Sequence, residues 1–514
     1  MRNTLIAIAL VMTFGEAGVA ESDSIKQATP TKTSSEPDTA SAKNSTDLQN
    51  QLVELQNQEV NLQGQLVDLD RTYLETQRKV NTLSRLKISG YAQIQWQYAG
   101  SDGAPSADGG NFPFDVSDFA DPSSNVLTDL QNDSVLDTLA ARQRFQIPRA
   151  RLRFAYDAGT SKLLLVFNLA PAGVSIKDAN ISVWDPWLKI FQATFGITEE
   201  PFGFEVPYSP ASLETPEASR FAQTVFPGFL DLGAMLEARP TQDMGLLQYL
   251  DVKGGLFTGM GGLTPDYTDI DNHMAFIGRA GFKAPIGFTG LELDGGFSAY
   301  LGEVTDRNDS AFSMHDTTLV LTEGNKGKAF DRKVYGTDAE LYYTFPVIGT
   351  STLRGEYYWA KMPGTLESNG PYDAPSWPTT ALFERNMMGW YVMWVQNLGE
   401  LLQAVMRYDV FDPNTDITGA DVIQTYSTSI AHPNSPADLE FKTFGFGLNY
   451  NWDKNLRLTA YYEIVANEKA SASNKSLIGD NPYEQASEYH PNPLEEYTNA
   501  LQENVFTFRA QFQF

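Results

Sequence analysis

Arg149, Arg151 and Arg153, set at alternate positions in IPRARLRF, are the densest group of chemically active side chains in this chain. With a side-chain period of two they share one face of a strand, and Ala150, Leu152 and Phe154 take the other. A row of guanidinium groups offers successive anion sites, each weak enough to release its ion, which is what anion conduction requires. Arg354, Arg407, Arg457 and Arg509 also fall on the polar faces of alternating segments, as does Lys253 if Val252 and Leu256 face the other way. Asp338, Glu340, Glu356, Asp409 and Glu463 lie on those same faces. Two readings are therefore open: an anion path, or charges that pair across a wall and stiffen it.

Other chemistry finds little support. Asp412, Asn414 and Asp416 have the alternate oxygen spacing of a calcium loop, but Ile423 stands where that pattern needs Glu. Pro413 and Gly419 favour a tight turn there, a weak calcium contact being the alternative. No metal or other cofactor is expected. The four histidines, His273, His315, His432 and His490, are scattered and form no H-E-x-x-H motif. No G-x-S-x-G segment is present, and the chain has no cysteine, which removes thiolate nucleophiles and disulfides. The chain is not expected to be an enzyme. A net charge of -27 argues against nucleic-acid binding, which needs a basic face. Part of that charge lies in a loop with Asp102, Asp108, Asp115, Asp118, Asp121, Asp129, Asp133 and Asp137. Such a loop is either solvated surface or folds into a pore and favours cations.

The elements that must position these residues read as strands. In KISGYAQIQWQY, Ile88, Ala92, Ile94, Trp96 and Tyr98 oppose Ser89, Gln93, Gln95 and Gln97. In the closing NVFTFRAQFQF, Phe506, Phe508, Ala510, Phe512 and Phe514 oppose Val505, Thr507, Arg509, Gln511 and Gln513. Apolar faces of this kind suit lipid better than water. Beyond the first twenty residues no run of 18 apolar residues is available for a membrane helix, so a spanning chain must close into a barrel. The pattern predicts an all-β, antiparallel transmembrane barrel over residues 87–514, with about sixteen strands, eighteen being the other even count open. Short turns such as Asp453-Lys454-Asn455 alternate with long polar loops, and Pro148 marks a bulge or an edge.

Ahead of the barrel the chain changes character twice. Residues 1–20 read as an export signal: Arg2, an apolar run from Leu5 to Phe14, then Gly18-Val19-Ala20. Residues 21–46 are polar and read as a flexible linker. From Leu48 an apolar seam runs through Leu52, Leu55, Leu62, Leu66, Leu69, Tyr73, Val80 and Leu83 at steps of four and three, interrupted by Glu59 and Thr76. This predicts a coiled coil over residues 47–86.

Several segments resemble the phosphate-selective porin O and P family: KDANI (177–181), FGITEEPFGFE (195–205), SRFAQTVFPGFLDLGAML (219–236), LRGEYYWAK (353–361) and MRYDVFDPNTDI (406–417). The resemblance covers 87–514 and implies a sixteen-stranded, homotrimeric outer-membrane porin whose loops fold inward over a lumen with a basic ladder. Lys177, in KDANI, joins the lumen candidates. Where that family has Lys before E-P-F-G, this chain has Thr198 and Glu199. A final Phe, here Phe514, resembles the signal read by the barrel-assembly machinery. The expected protein is a passive diffusion channel in the outer membrane of a two-membraned bacterium, in contact with outer-membrane lipids and taking small hydrophilic solutes, anions or phosphate among them. The alternative is a structural tether, with the coiled coil reaching through the periplasm to peptidoglycan.

Overall fold

The computed structural model describes residues 39–99, 143–170, 173–241, 243–259, 261, 272–286, 290–364, 381–422, 438–469 and 504–514. The export signal, the first part of the linker, the acidic loop from Asp102 to Asp137, His432 and His490 lie outside these residues.

One long helix, α1 (Thr39–Ser84), runs for 46 residues. It begins within the segment read as linker and carries the whole heptad seam. It contains no Pro, and Gly64 is its one poor helix former. Leu48, Leu52, Leu55, Leu62, Leu66 and Leu69 are each 58–70% exposed. A single chain therefore leaves this seam uncovered.

From Leu86 on, the strands among the described residues form one closed antiparallel wall. Its strands are β1 (Leu86–Ala99), β2 (Gln143–Asp157), β3 (Ser161–Ala170), β4 (Gly173–Trp184), β5 (Phe191–Glu199), β6 (Leu230–Ala238), β7 (Leu250–Phe257), β8 (Ala275–Ile286) and β9 (Leu291–Thr305). After a short hairpin, β10 (Ala311–His315) and β11 (Thr318–Thr322), follow β12 (Ala329–Phe345), β13 (Gly349–Gly364), β14 (Leu382–Leu398), β15 (Leu402–Asp412), β16 (Phe441–Asn451), β17 (Leu456–Asn467) and β18 (Val505–Gln513). Each strand pairs with its chain neighbour, except that β9 pairs with β12, and β18 returns to β1. Of the eighteen strands among the described residues, the hairpin pair β10–β11 stands outside the wall, which leaves sixteen in the barrel. β10 instead runs parallel to the start of β14, through Ala311 with Leu382 and Phe312 with Phe383.

Closure follows from the two end strands that the alternation singled out. Tyr91 to Ala99 pair with Gln513 to Val505, and Gly90 and Phe514 exchange backbone hydrogen bonds of 3.0 and 3.1 Å. Outward residues such as Ile94, Phe508, Phe512, Leu353 and Trp394 are exposed, while Gln93, Thr507, Arg509 and Gln511 are buried inside. At Pro148 the β1–β2 register slips by one residue between Gln93 and Gln95. Pro has no N–H for the ladder, so the extra residue belongs there. The slip keeps both Gln146 and Arg149 on the inner face.

Candidate functional site

The lumen is shaped by the chain between β5 and β6, residues 200–229, which turns inward instead of leaving the barrel. Gly203 opens this descent with φ +58, and a Cβ there would sit 2.4 Å from a Glu356 carboxylate oxygen, so only glycine fits. Glu356 accepts from the backbone N–H groups of Phe204 and Glu205, both at 2.9 Å, and from the Tyr391 hydroxyl at 2.7 Å. Lower down, Gln93 and Gln511 donate to the carbonyls of Pro210 and Ala211. The segment then rises into a short helix, α2 (Arg220–Val225), whose first turn is capped by Ser219.

Beneath the loop lies an apolar core inside the barrel. Phe202, Phe221, Val225 and Phe226 pack on Ile277, Tyr300, Val334, Tyr358, Met387 and Phe411 of the wall. The Phe221 and Tyr358 rings stack 4.5 Å apart and 2° from parallel. The sequence carries a signal of this in NMMGWYVMWVQN of β14, which is apolar on both faces. Strands covered on both sides read as continuous apolar runs. One side meets the outside of the barrel and the other meets the loop.

Most of the predicted basic residues grip this loop. Arg149 and Arg509 both bind the Glu217 carboxylate, the latter at 2.8 Å, and Arg509 also reaches the Pro216 carbonyl at 2.5 Å. Arg407 donates to the Glu217 carbonyl at 2.8 Å and to Thr215 Oγ1 at 3.2 Å. It lies 3.8 Å from Glu463. Arg354 pairs with Glu340 and, at 3.2 Å, with Glu214, its guanidinium 3.9 Å above the Phe204 ring. Asp409 accepts from the Arg220 backbone N–H, Arg457 donates to Gln511, and Lys177 donates to the Gly228 carbonyl at 3.0 Å. Asp338 is held by Arg279 at 2.5 and 3.0 Å. Arg279, Glu205, Glu214 and Glu217 were not among the residues predicted from sequence. Their isolated positions in the sequence give no sign of their partners.

Burial pushes the Glu217 carboxyl up, but Arg149 and Arg509 outweigh it and hold the group at about 2. Glu205 is displaced upward by burial, against the pull of Arg407. Burial, reinforced by Asp231, raises Glu200 to about 8.

Among the described residues, two cavities remain between this loop and the inner faces of β2 to β7. One cavity there, about 250 Å³, is lined by Arg153, Lys162, Lys253 and Arg239 together with Asp178, Glu199 and Glu237. A second, about 500 Å³, lies toward the rim that carries Lys454 and Phe514 and is lined by Arg151, Arg153, Asp178 and Glu199. Arg151 lies 5.6 Å from the Tyr91 ring centre, and its Nε has no hydrogen-bond partner among the described residues. Asp412 and Asn414 accept from the backbone N–H groups two residues on, at 3.0 and 3.4 Å, and Asn386 donates to Asp416 at 2.6 Å. These carboxylates and amides are used in building a turn.

No protein-family model matches the chain, and no curated relative matches it. Among solved structures it is similar to OprB of Pseudomonas putida, at 10% identity over 85% of this chain and 96% of that one, with a TM-score of 0.50. The anion-selective porin from Comamonas acidovorans is 12% identical over 84% of this chain and 99% of that chain, with a TM-score of 0.44. OmpF of Salmonella typhi, in complex with daunomycin, is 12% identical over 84% and 97%, with a TM-score of 0.45. Identities this low speak to fold: the barrel is of the porin kind, and the narrower likeness to the O and P family rests on the quoted segments alone.

Proposed function

We propose that the chain is an outer-membrane porin, a passive diffusion channel for small hydrophilic solutes with a preference for anions, phosphate among them. The observation that carries this reading is the division of the lumen arginines into two sets. Arg149, Arg354, Arg407 and Arg509 are engaged in holding the inward loop. Arg151 and Arg153, with Lys162 and Lys253 near them, line the two cavities and make no ion pair within 4.0 Å among the described residues. Anions passing the constriction meet those cations. In this reading the end with short turns faces the periplasm, the long loops face outward, and Phe514 is presented to the barrel-assembly machinery.

The uncovered seam of α1 supports a further part of the proposal. Copies of this helix pair through their Leu positions as a periplasmic coiled coil, and the protein assembles as a homotrimer. The same seam favours the tether as a second reading, in which the helices reach peptidoglycan and conduction is incidental.

Purified protein inserted in a planar bilayer under a salt gradient tests both. Anion-selective steps in wild type, with selectivity reduced in an Arg151→Gln/Arg153→Gln double variant, are expected. An inserted barrel that conducts nothing refutes the channel and leaves the tether. Cation-selective steps refute the role given to the arginines.

A further inference from the structure

On the β2 to β7 side of the lumen, three inward residues stand in one row on adjacent strands. Arg153 of β2 is the register partner of Val166 of β3, which is in turn the partner of Asp178 of β4. Two strand spacings separate cation from carboxylate backbone, about 10 Å, and the residue between them is a buried valine. Arg153 and Asp178 make no ion pair within 4.0 Å among the described residues, although both line the same cavity of about 500 Å³. The row is reinforced on each side: Arg151 lies on the basic strand, Glu199 next to the acidic one, and Leu164 extends the apolar strip between them. Lys177, the extra residue where the β3–β4 register slips beside Asp178, is turned to the Gly228 carbonyl. Its ammonium group is still the leading counter-charge acting on Asp178 and Glu199, so a solute ammonium shares the acidic side of the cavity with it.

We infer that this row is a subsite for zwitterionic solutes whose carboxylate and ammonium groups are joined by an aliphatic segment, of the amino-acid and short-peptide class. The carboxylate sits against Arg153 and Arg151, the ammonium against Asp178 and Glu199, and the methylene chain lies over Val166 and Leu164. A solute with a single charge satisfies one side and leaves the other without a counter-charge. A zwitterion satisfies both, and each charge-assisted contact it adds is expected to tighten residence about tenfold. Nothing covalent is required. The inference rests on the chain being a channel.

The probe is 6-aminohexanoate, compared with hexanoate and hexylammonium at pH 7, added to single channels whose conductance in potassium chloride has first been recorded. Absence of conductance before any addition refutes the channel itself and is read separately. The expected result is that 6-aminohexanoate interrupts the wild-type current at about one tenth of the concentration needed of either singly charged analogue. Asp178→Asn should reduce its advantage over hexanoate, and Arg153→Gln its advantage over hexylammonium, Glu199 and Arg151 keeping the remainder, while Arg153→Lys should retain the excess. Equal block by hexanoate and 6-aminohexanoate in wild type, block unchanged in Asp178→Asn, or no block by any of the three overturns the subsite.

Discussion

Replacing Glu217 by Gln removes the one negative charge shared by Arg149 and Arg509, and with it the ion-pair tie between the inward loop and strands β2 and β18. The carboxyl is held at about 2 against an ordinary 4.5, a difference worth about 3 kcal/mol between its charged and neutral forms. Arg509 is 2% exposed and Glu217 24%, so solvent screens part of this, and about 2–3 kcal/mol is the expected loss. At tenfold per 1.4 kcal/mol, the detached state of the segment near Glu217 becomes roughly 30- to 140-fold more populated. Arg407, Arg354 and Asn449 still hold neighbouring carbonyls and Glu214, so the loop loosens locally and stays inside the barrel. Open-channel current noise in a planar bilayer reads this directly, and Glu217→Gln should be noisier and somewhat more conductive than wild type at pH 7. The sign with pH follows from the depressed value: a carboxylate held below its free pKa contributes its full stability above about 4.5 and loses it as pH falls toward 2. Wild-type noise should therefore rise between pH 4.5 and 2, and the variant's should stay flat. A quiet variant, or a wild type with no acid response, refutes the idea that this ion triad holds the constriction.

Three other outcomes are expected. Gly389→Val on β14 puts a Cβ 2.6 Å from Phe221, so α2 must lift at a cost of about 1–3 kcal/mol; the barrel should still assemble, with altered conductance and a lower midpoint for thermal release of loop structure. Glu200, raised to about 8, binds its proton more tightly in the folded chain, so stability should fall as pH rises from about 4.5 to 8. Glu200→Gln should flatten that slope in thermal melts, and an unchanged slope counts against it. Because the chain has no native cysteine, Leu66→Cys on the exposed seam of α1 should give interchain disulfides under mild oxidation of the purified full-length protein; failure to cross-link would sink the proposed coiled coil.

What the sequence determined by itself is which face each residue takes. Alternation is a local property of extended backbone, so Ile94 and Phe508 outside, and Gln93 and Arg509 inside, could be read before any tertiary contact was known. Pro148 is readable as a bulge or an edge, and the register slip beside it shows the bulge. Strand count reads from the alternation as about sixteen, with eighteen open. The five-residue β10 and β11, paired with each other and, through β10, with the start of β14, are the two strands that stand outside the sixteen of the wall. Which inward charges meet water was decided by tertiary structure alone. Arg149 and Arg151 are two residues apart on one face, yet Arg149 is bound to Glu217 from 68 positions away while Arg151 faces the open cavity. The difference arises from the path of residues 200–229 across the lumen, set by packing of Phe202, Phe221 and Phe226 on the far wall. Local periodicity places a side chain inside a barrel, and only long-range packing determines whether another part of the chain is there to meet it.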